Sequence, residues 1–202
     1  MRIAFIDGGT YYHHATYHDP QFQPLFSRNI YICDLPDADL SDVDCLYIAS
    51  RQNPADLLIA REIITRFLSQ GKLVIVMGEC GVEQWLDRVR WQSGETNFWW
   101  WLEENADPGL RLKAPQHGLF RYISLKDATW HHHGSFVVPP DATSLIDAEG
   151  EGSILYETRL PGGGRMLLTT LDPCYHHGSY FMPNTTRFIT GLLNWLHAGA
   201  PE

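Results

Sequence analysis

One cysteine stands in a turn whose sequence is typical of a catalytic loop. Five apolar residues, Leu73 to Met77, run directly into Gly78-Glu-Cys-Gly81. An unbroken apolar run predicts a strand buried on both faces, and the two glycines predict a tight turn at its end. With a helix following, the segment has the form of a nucleophile elbow, in which the helix dipole stabilises a thiolate. Cys80 is therefore a candidate nucleophile; the alternative is a small cysteine packed as a hydrophobic residue.

Histidines and acidic residues gather in two further loops, each after a predicted strand. Met1 to Asp7 is the first strand, and Arg165 to Asp172 is the last. The candidate residues are Gly8, Gly9, His13, His14 and His18 after the first strand, and Asp172, Cys174, Tyr175, His176 and His177 after the last. Ligands of open α/β sheets bind at the carboxyl ends of the strands, so we expect these loops and the Cys80 turn to meet at one site.

The same residues also fit a metal site. Imidazole nitrogens and thiolates are good ligands for zinc, copper and iron, and an acid such as Asp7 or Glu79 would complete the site. The candidate histidine ligands are His13, His18, His176 and His177. This alternative predicts a bound divalent transition metal, whereas the thiol hypothesis needs no cofactor. A fourth cluster, His131 to His133, precedes a predicted strand, so the topology does not assign it to the same edge.

A run of tryptophans follows the Cys80 turn. Asn97-Phe-Trp-Trp-Trp101 cannot direct all three tryptophans to one side of a helix or strand. One of them, with Trp100 as the candidate, is expected in a cleft where a sugar ring or an apolar ligand stacks. A core lid combined with a subunit contact is the alternative, and it predicts a homo-oligomer.

The order of the predicted elements indicates the fold class. Strands at 1–7, 29–33, 45–50 and 73–77 alternate with helical segments, of which the clearest begins at Asn53-Pro54 and ends at Gln70. A last helix is predicted from Asn184 to His197. This order predicts an α/β protein, a three-layer flavodoxin-like sandwich with a mainly parallel central sheet. No linker or repeat interrupts the chain, so residues 1–202 are expected to form a single domain.

Composition excludes several classes of partner. The net charge of −9 disfavours nucleic acid, because a polyanion would be repelled. There is no apolar run of about 18 residues and no leader pattern, so we expect no membrane partner and a cytoplasmic protein. The four cysteines show no CxxC spacing, which predicts free thiols. The expected partners are a small-molecule substrate and, in the subunit-contact alternative, a second copy of the chain.

Three segments resemble the class I glutamine amidotransferase-like superfamily, and within it the ThuA-like domains. They are Asp7-Gly-Gly9, Gly78-Glu-Cys-Gly81, and the stretch from Gly163 to Trp195, with its Gly-Arg, apolar strand, Thr-x-Leu, histidine and terminal Leu-x-Trp pattern. The resemblance covers nearly the whole chain. It implies the superfamily's α/β fold for this chain.

The resemblance also implies a Cys-His-Glu type of triad. Cys80 matches the nucleophile, and His176 lies in the matching loop 96 positions later, with His177 beside it as the other candidate base. Asp172 would orient the histidine, and Glu79 adjoins the nucleophile in the turn. The amides of Gly81 and Val82 would hold an oxyanion. The sequence departs from the motif at two positions, where Val82 replaces a glycine and Gly178 replaces the glutamate of the triad.

The expected function follows from this resemblance. It implies an amidotransferase-like protein, a thiol-dependent hydrolase or transferase that acts on a small amide or ester through Cys80. The alternatives are a histidine-rich metal-binding protein and a non-catalytic module, related to ThuA-like proteins, that binds carbohydrate or protein.

Overall fold

Apolar runs of the sequence form the strands of one mixed sheet. The computed structural model describes residues 1–94, 102–104, 106–180 and 182–202. The strands among these residues are β1 (Ile3–Asp7), β2 (Arg28–Tyr31), β3 (Cys45–Ile48), β4 (Leu73–Val76), β5 (Trp91–Gln92), β6 (Leu110–Leu112), β7 (Ser135–Phe136), β8 (Ala142–Ala148), β9 (Gly152–Arg159) and β10 (Arg165–Thr169). The α-helices are α1 (Tyr11–His18), α2 (Pro54–Ile59), α3 (Arg61–Ser69), α4 (Pro173–Gly178) and α5 (Pro183–His197).

The parallel half of the sheet brings several strand ends to one edge. Five strands run parallel in the order β2-β1-β3-β4-β10. One row of paired residues crosses four of these strands through Ile6, Ile48, Val76 and Leu168. Because β1, β3, β4 and β10 are in register, the residues that follow them lie side by side at the carboxyl edge. This is where doubly wound sheets bind ligands.

The other half of the sheet is antiparallel. β9 pairs with β10, β8 and β7, and β5 and β6 extend the sheet from β7 and β8. The sheet is therefore mixed, and the predicted parallel strands form one half of it. β5 and β6 were not predicted, because strands of two or three mostly exposed residues carry no hydrophobic period.

Four strands of the parallel half, β1, β3, β4 and β10, are buried on both faces. Along β1, Ile3 and Phe5 pack in one hydrophobic cluster with α5, and Ala4 and Ile6 pack in a second cluster with α3. Burial on both sides explains why the sequences of these strands are unbroken apolar runs. In the described ranges, no helix is long and apolar enough to span a membrane.

Several local predictions were wrong. α1 and α4 were predicted as loops, although Thr10 caps α1 by accepting a bond from the His13 amide and Pro173 begins α4. The helix expected after Cys80 is only a three-residue 3₁₀ turn, Val82–Gln84. The helix predicted over 53–70 is divided at Ala60 into α2 and α3.

Candidate functional site

The Cys80 thiol is buried against backbone carbonyl groups. Its Sγ donates to the Ala49 carbonyl at 3.3 Å and lies 3.8 Å from the Gly78 carbonyl, and 2% of the residue is exposed. Burial raises the pKa of the thiol to about 12. At pH 7 roughly one such thiol in 10⁵ is ionised, and the short 3₁₀ turn supplies no helix dipole. Burial of the thiol therefore argues against the expected role of Cys80 as nucleophile, and the Nε2 atom of its expected partner, His176, faces Asp172 and His131.

A different group of side chains converges at the end of β10. Asp172 is fully buried, and His176 follows it by one turn of α4. The Nε2 atom of His176 lies 3.1 Å from Asp172 Oδ1 and 3.1 Å from Nε2 of His131. The His131 and His176 rings meet edge to face, with their centroids 4.7 Å apart. Asp172 and His176 were predicted at the site, and the structure brings them together.

Arg51 joins this group to the turn after β4. Its guanidinium lies 2.9 Å from Asp172 Oδ2 and, through Nε, 2.6 Å from Glu79 Oε2. The guanidinium also stacks 3.7 Å above the ring of Tyr175. His133 Nδ1 lies 3.3 Å from Glu79 Oε1. Glu79, Arg51 and Asp172 therefore form a continuous charged row from β4 to β10.

At neutral pH the site combines a negative carboxylate with a neutral imidazole. Burial alone would raise the pKa of Asp172, but the hydrogen bond from His176 and the charges of His176, Arg51 and His133 outweigh it, so this pKa lies below its usual value. Burial lowers the pKa of His131 to about 4, and the neighbouring His176 adds to the effect. At neutral pH the site thus offers an anionic oxygen and an uncharged nitrogen, which are the forms that bind metal ions.

Two sets of three side chains have the spacing of metal ligands. His131, Asp172 and His176 form one set, and Glu79, His133 and Asp172 form the other, with the ligand atoms of each set within 4.8 Å of one another. In the second set Arg51 contacts both carboxylates and so competes with a cation for them. The first set has two imidazole nitrogens and one carboxylate oxygen facing each other, so it is the better candidate for a cation.

His13 has a structural role, which corrects its prediction as a ligand. It is completely buried, Nδ1 accepts a hydrogen bond from the Gly8 amide at 2.9 Å, and Nε2 donates to the Ser50 carbonyl at 2.7 Å. Both ring nitrogens are thereby occupied by backbone groups. His13 ties α1 to the loops after β1 and β3.

The other predicted site histidines have contacts outside this cluster. His14 and His18 are exposed on α1, with ring centroids 4.3 Å apart. His177 adjoins His176 in sequence but contacts Asp19 at 3.1 Å and Thr186 at 2.8 Å. The predicted ligand set His13, His18, His176 and His177 is therefore not assembled, and only His176 reaches the cluster.

The remaining predicted residues shape the edge of the sheet. The Gly9 amide donates to Asp7 at 2.7 Å, and Gly9 has a φ of 77°. Gly81 also has a positive φ, 53°, and Tyr175 supports Arg51. Trp100 lies outside the described residues.

Sequence reasoning missed Arg51 and placed His131 and His133 uncertainly relative to this edge. Arg51 follows β3 at the same edge as Glu79 and Asp172, so the rule that placed those two residues also applied to it. His131 and His133 precede β7, and only the pairing of β7 with β9 brings them beside β10. No local pattern reveals that pairing.

Comparisons with known proteins bear on the fold. No family model and no curated protein matches the chain. A glutamine amidotransferase from Thermotoga maritima is similar in structure, with a TM-score of 0.53 and 13% identity over 100% of this chain and 86% of that one. The chain has a glutamine amidotransferase-like fold.

A second similar structure is a larger enzyme. It is an exo-β-1,4-mannosidase from Opitutaceae bacterium strain TAV5, with a TM-score of 0.52 and 12% identity. The match covers 97% of this chain and 35% of the mannosidase, so the chain spans about a third of that protein. At these identities both comparisons show the fold alone.

Proposed function

We propose that the chain is a metal-dependent hydrolase, in which His131, Asp172 and His176 hold a divalent transition metal that activates water against a small amide or ester. The observation that carries this proposal is the convergence of two imidazole nitrogens and one carboxylate oxygen at the carboxyl edge of β10.

The distances fit direct ligation. Two ligand atoms about 2.1 Å from a metal, at angles between octahedral and tetrahedral values, lie about 3.0–3.4 Å apart. The two 3.1 Å separations around His176 Nε2 fall in this range. Three protein ligands leave a coordination position for water, whose pKa a bound zinc lowers to about 7.

Metal titration tests the site. After chelator treatment, the untagged protein is expected to bind one equivalent of Zn²⁺ or Mn²⁺ by calorimetry. His131→Ala and His176→Ala should each weaken binding by more than about 100-fold, since even partners of metal ligands contribute about 10–100-fold. A His14→Ala/His18→Ala double variant is the matched control, because it removes two exposed histidines. Loss of binding in that control alone would contradict the proposal.

Hydrolysis separates this proposal from thiol chemistry. Turnover of p-nitrophenyl acetate should disappear on metal removal, return on its addition, and survive Cys80→Ser. In addition, iodoacetamide should modify exposed Cys33 about 10³ times faster than Cys80 at pH 8, because the buried thiol has a pKa of about 12. Fast labelling of Cys80 would favour the thiol-dependent hydrolase instead.

We also propose the finer structural assignments that the resemblance implies. Two hydrophobic clusters on opposite faces of the sheet support a three-layer flavodoxin-like sandwich. The pattern from Gly163 to Trp195 supports a place among the ThuA-like domains.

A further inference from the structure

The residue at the apex of the turn after β4 is Glu79, one position before the expected nucleophile. Glu79 has a φ of 60°, in the left-handed region, whereas Cys80 is not among the described residues with positive φ. In a nucleophile elbow, the sharp turn exposes the reactive side chain above the sheet. Here the turn exposes a carboxylate and buries the thiol.

Close packing on both sides of the turn fixes which residue lies at its apex. A Cβ on Gly78 would lie 2.1 Å from the Thr170 carbonyl oxygen, so only glycine fits between β4 and the segment after β10. Gly81 also has a left-handed backbone, and a Cβ there would lie 2.6 Å from Pro54. The Trp85 indole donates to the Cys80 carbonyl at 3.0 Å. The backbone of the turn is therefore held with Glu79 outward.

The Glu79 carboxylate is both anchored and accessible. Arg51 and His133 contact its two oxygens at 2.6 and 3.3 Å, and 32% of the side chain is exposed. Together with His133, Trp91 and Phe136, it lines a cavity of about 400 Å³. The backbone of Arg51 is also in the left-handed region, with a φ of 62°. Such backbone conformations cluster at active sites, and here two of them face each other in one ion pair.

Asp172 connects this carboxylate to the proposed metal site. Its Oδ1 faces His176, and its Oδ2 faces Arg51. Glu79 and His133 supply ligand-type atoms within 4.8 Å of an Asp172 oxygen. The Glu79 carboxylate and the proposed ligands His131 and His176 therefore share Asp172 as a common neighbour, and Glu79 faces the cavity.

We propose that Glu79 is the proton acceptor of this site, with Arg51 and His133 as its positioning residues; this inference rests on the proposed metal-dependent function. Glu79 takes a proton from water as the water oxygen bonds to the substrate's carbonyl carbon. The bond from that carbon to the leaving nitrogen or oxygen then breaks, and the leaving group receives the proton from Glu79. Atoms and charge balance with water as the sole co-reactant.

Binding of acetohydroxamic acid to the Zn²⁺-loaded protein tests Glu79 without a known substrate. A hydroxamic acid chelates zinc as its anion and gives its proton to a neighbouring base. Glu79→Gln should weaken its binding by roughly 10–100-fold, the contribution of a charged hydrogen bond. Acetate is already ionised at pH 7 and has no proton to give to Glu79. Its affinity should therefore change by less than about threefold. Glu83→Gln is the matched control, because Glu83 lines the same cavity.

The outcomes distinguish the two proposals. Zn²⁺ stoichiometry is measured first for every variant, and its absence in the wild-type protein would overturn the metal site and, with it, the role of Glu79. Normal zinc binding with equal hydroxamate affinity in the wild type and Glu79→Gln would overturn the role of Glu79 alone. Glu79→Asp keeps the charge and should give intermediate weakening, which covers the case in which Glu79→Gln does not fold.

Discussion

Two Asp–His pairs lie at the same edge of the sheet and have different surroundings. In each pair, the aspartate ends or follows a strand and the histidine lies on the next helix: Asp7 with His13, and Asp172 with His176. Backbone groups occupy both nitrogens of His13, whereas His176 faces a carboxylate and a second imidazole. The comparison teaches that hydrogen-bond partners, more than residue type, separate a structural histidine from a candidate ligand.

Replacing each aspartate by asparagine gives the largest expected difference between the two pairs. Asp172→Asn should lower Zn²⁺ affinity by more than about 100-fold, because an amide is a much weaker ligand than a carboxylate. Asp7→Asn should leave that affinity within about threefold. Calorimetric titration of both proteins measures this difference. Equal losses would mean that the two pairs share one site.

Replacing His13 tests the structural half of the comparison. His13→Ala leaves the Gly8 amide and the Ser50 carbonyl without their hydrogen-bond partner and opens a cavity. The free energy of unfolding should therefore fall by about 3 kcal/mol. Urea denaturation of the wild type and the variant gives this value. If the variant kept full stability but lost zinc, His13 would belong with the ligands.

His177 sharpens the comparison within a single helix. It adjoins His176 but bonds to Asp19 and Thr186, thereby linking α4 to the residue after α1 and to α5. His177→Gln should cost about 1 kcal/mol of stability, the usual net value of a lost hydrogen bond, and leave zinc binding unchanged. Denaturation and calorimetry on the same sample check both parts. A fall in zinc affinity would show that His177 supports the site.

The parallel half of the fold could be predicted from sequence, whereas the register of the turn could not. Two apolar runs, Leu73 to Met77 and the residues after Arg165, correctly predicted β4 and β10. The runs are unbroken because both faces of these strands are buried. The motif placed Cys80 at the apex of the turn because composition does not specify φ. Packing of Gly78 against the Thr170 carbonyl and of Gly81 against Pro54 selects Glu79 instead.

Half of the site was within reach of sequence reasoning. Asp172 and His176 follow a clear strand, so the sheet-edge rule found them. His131 and His133 reach the site only through the antiparallel pairing of β7 with β9. That pairing joins segments about 17 residues apart through a two-residue strand, which leaves no local pattern to read.

X-ray absorption at the zinc edge of the loaded, untagged protein tests the central claim most directly. We expect a first shell of nitrogen and oxygen at about 2.0–2.1 Å, with the outer scattering of two imidazole rings, and we expect His176→Ala to remove this signal. A sulfur shell at about 2.3 Å would assign the metal to a cysteine, and it would contradict a site built from His131, Asp172 and His176.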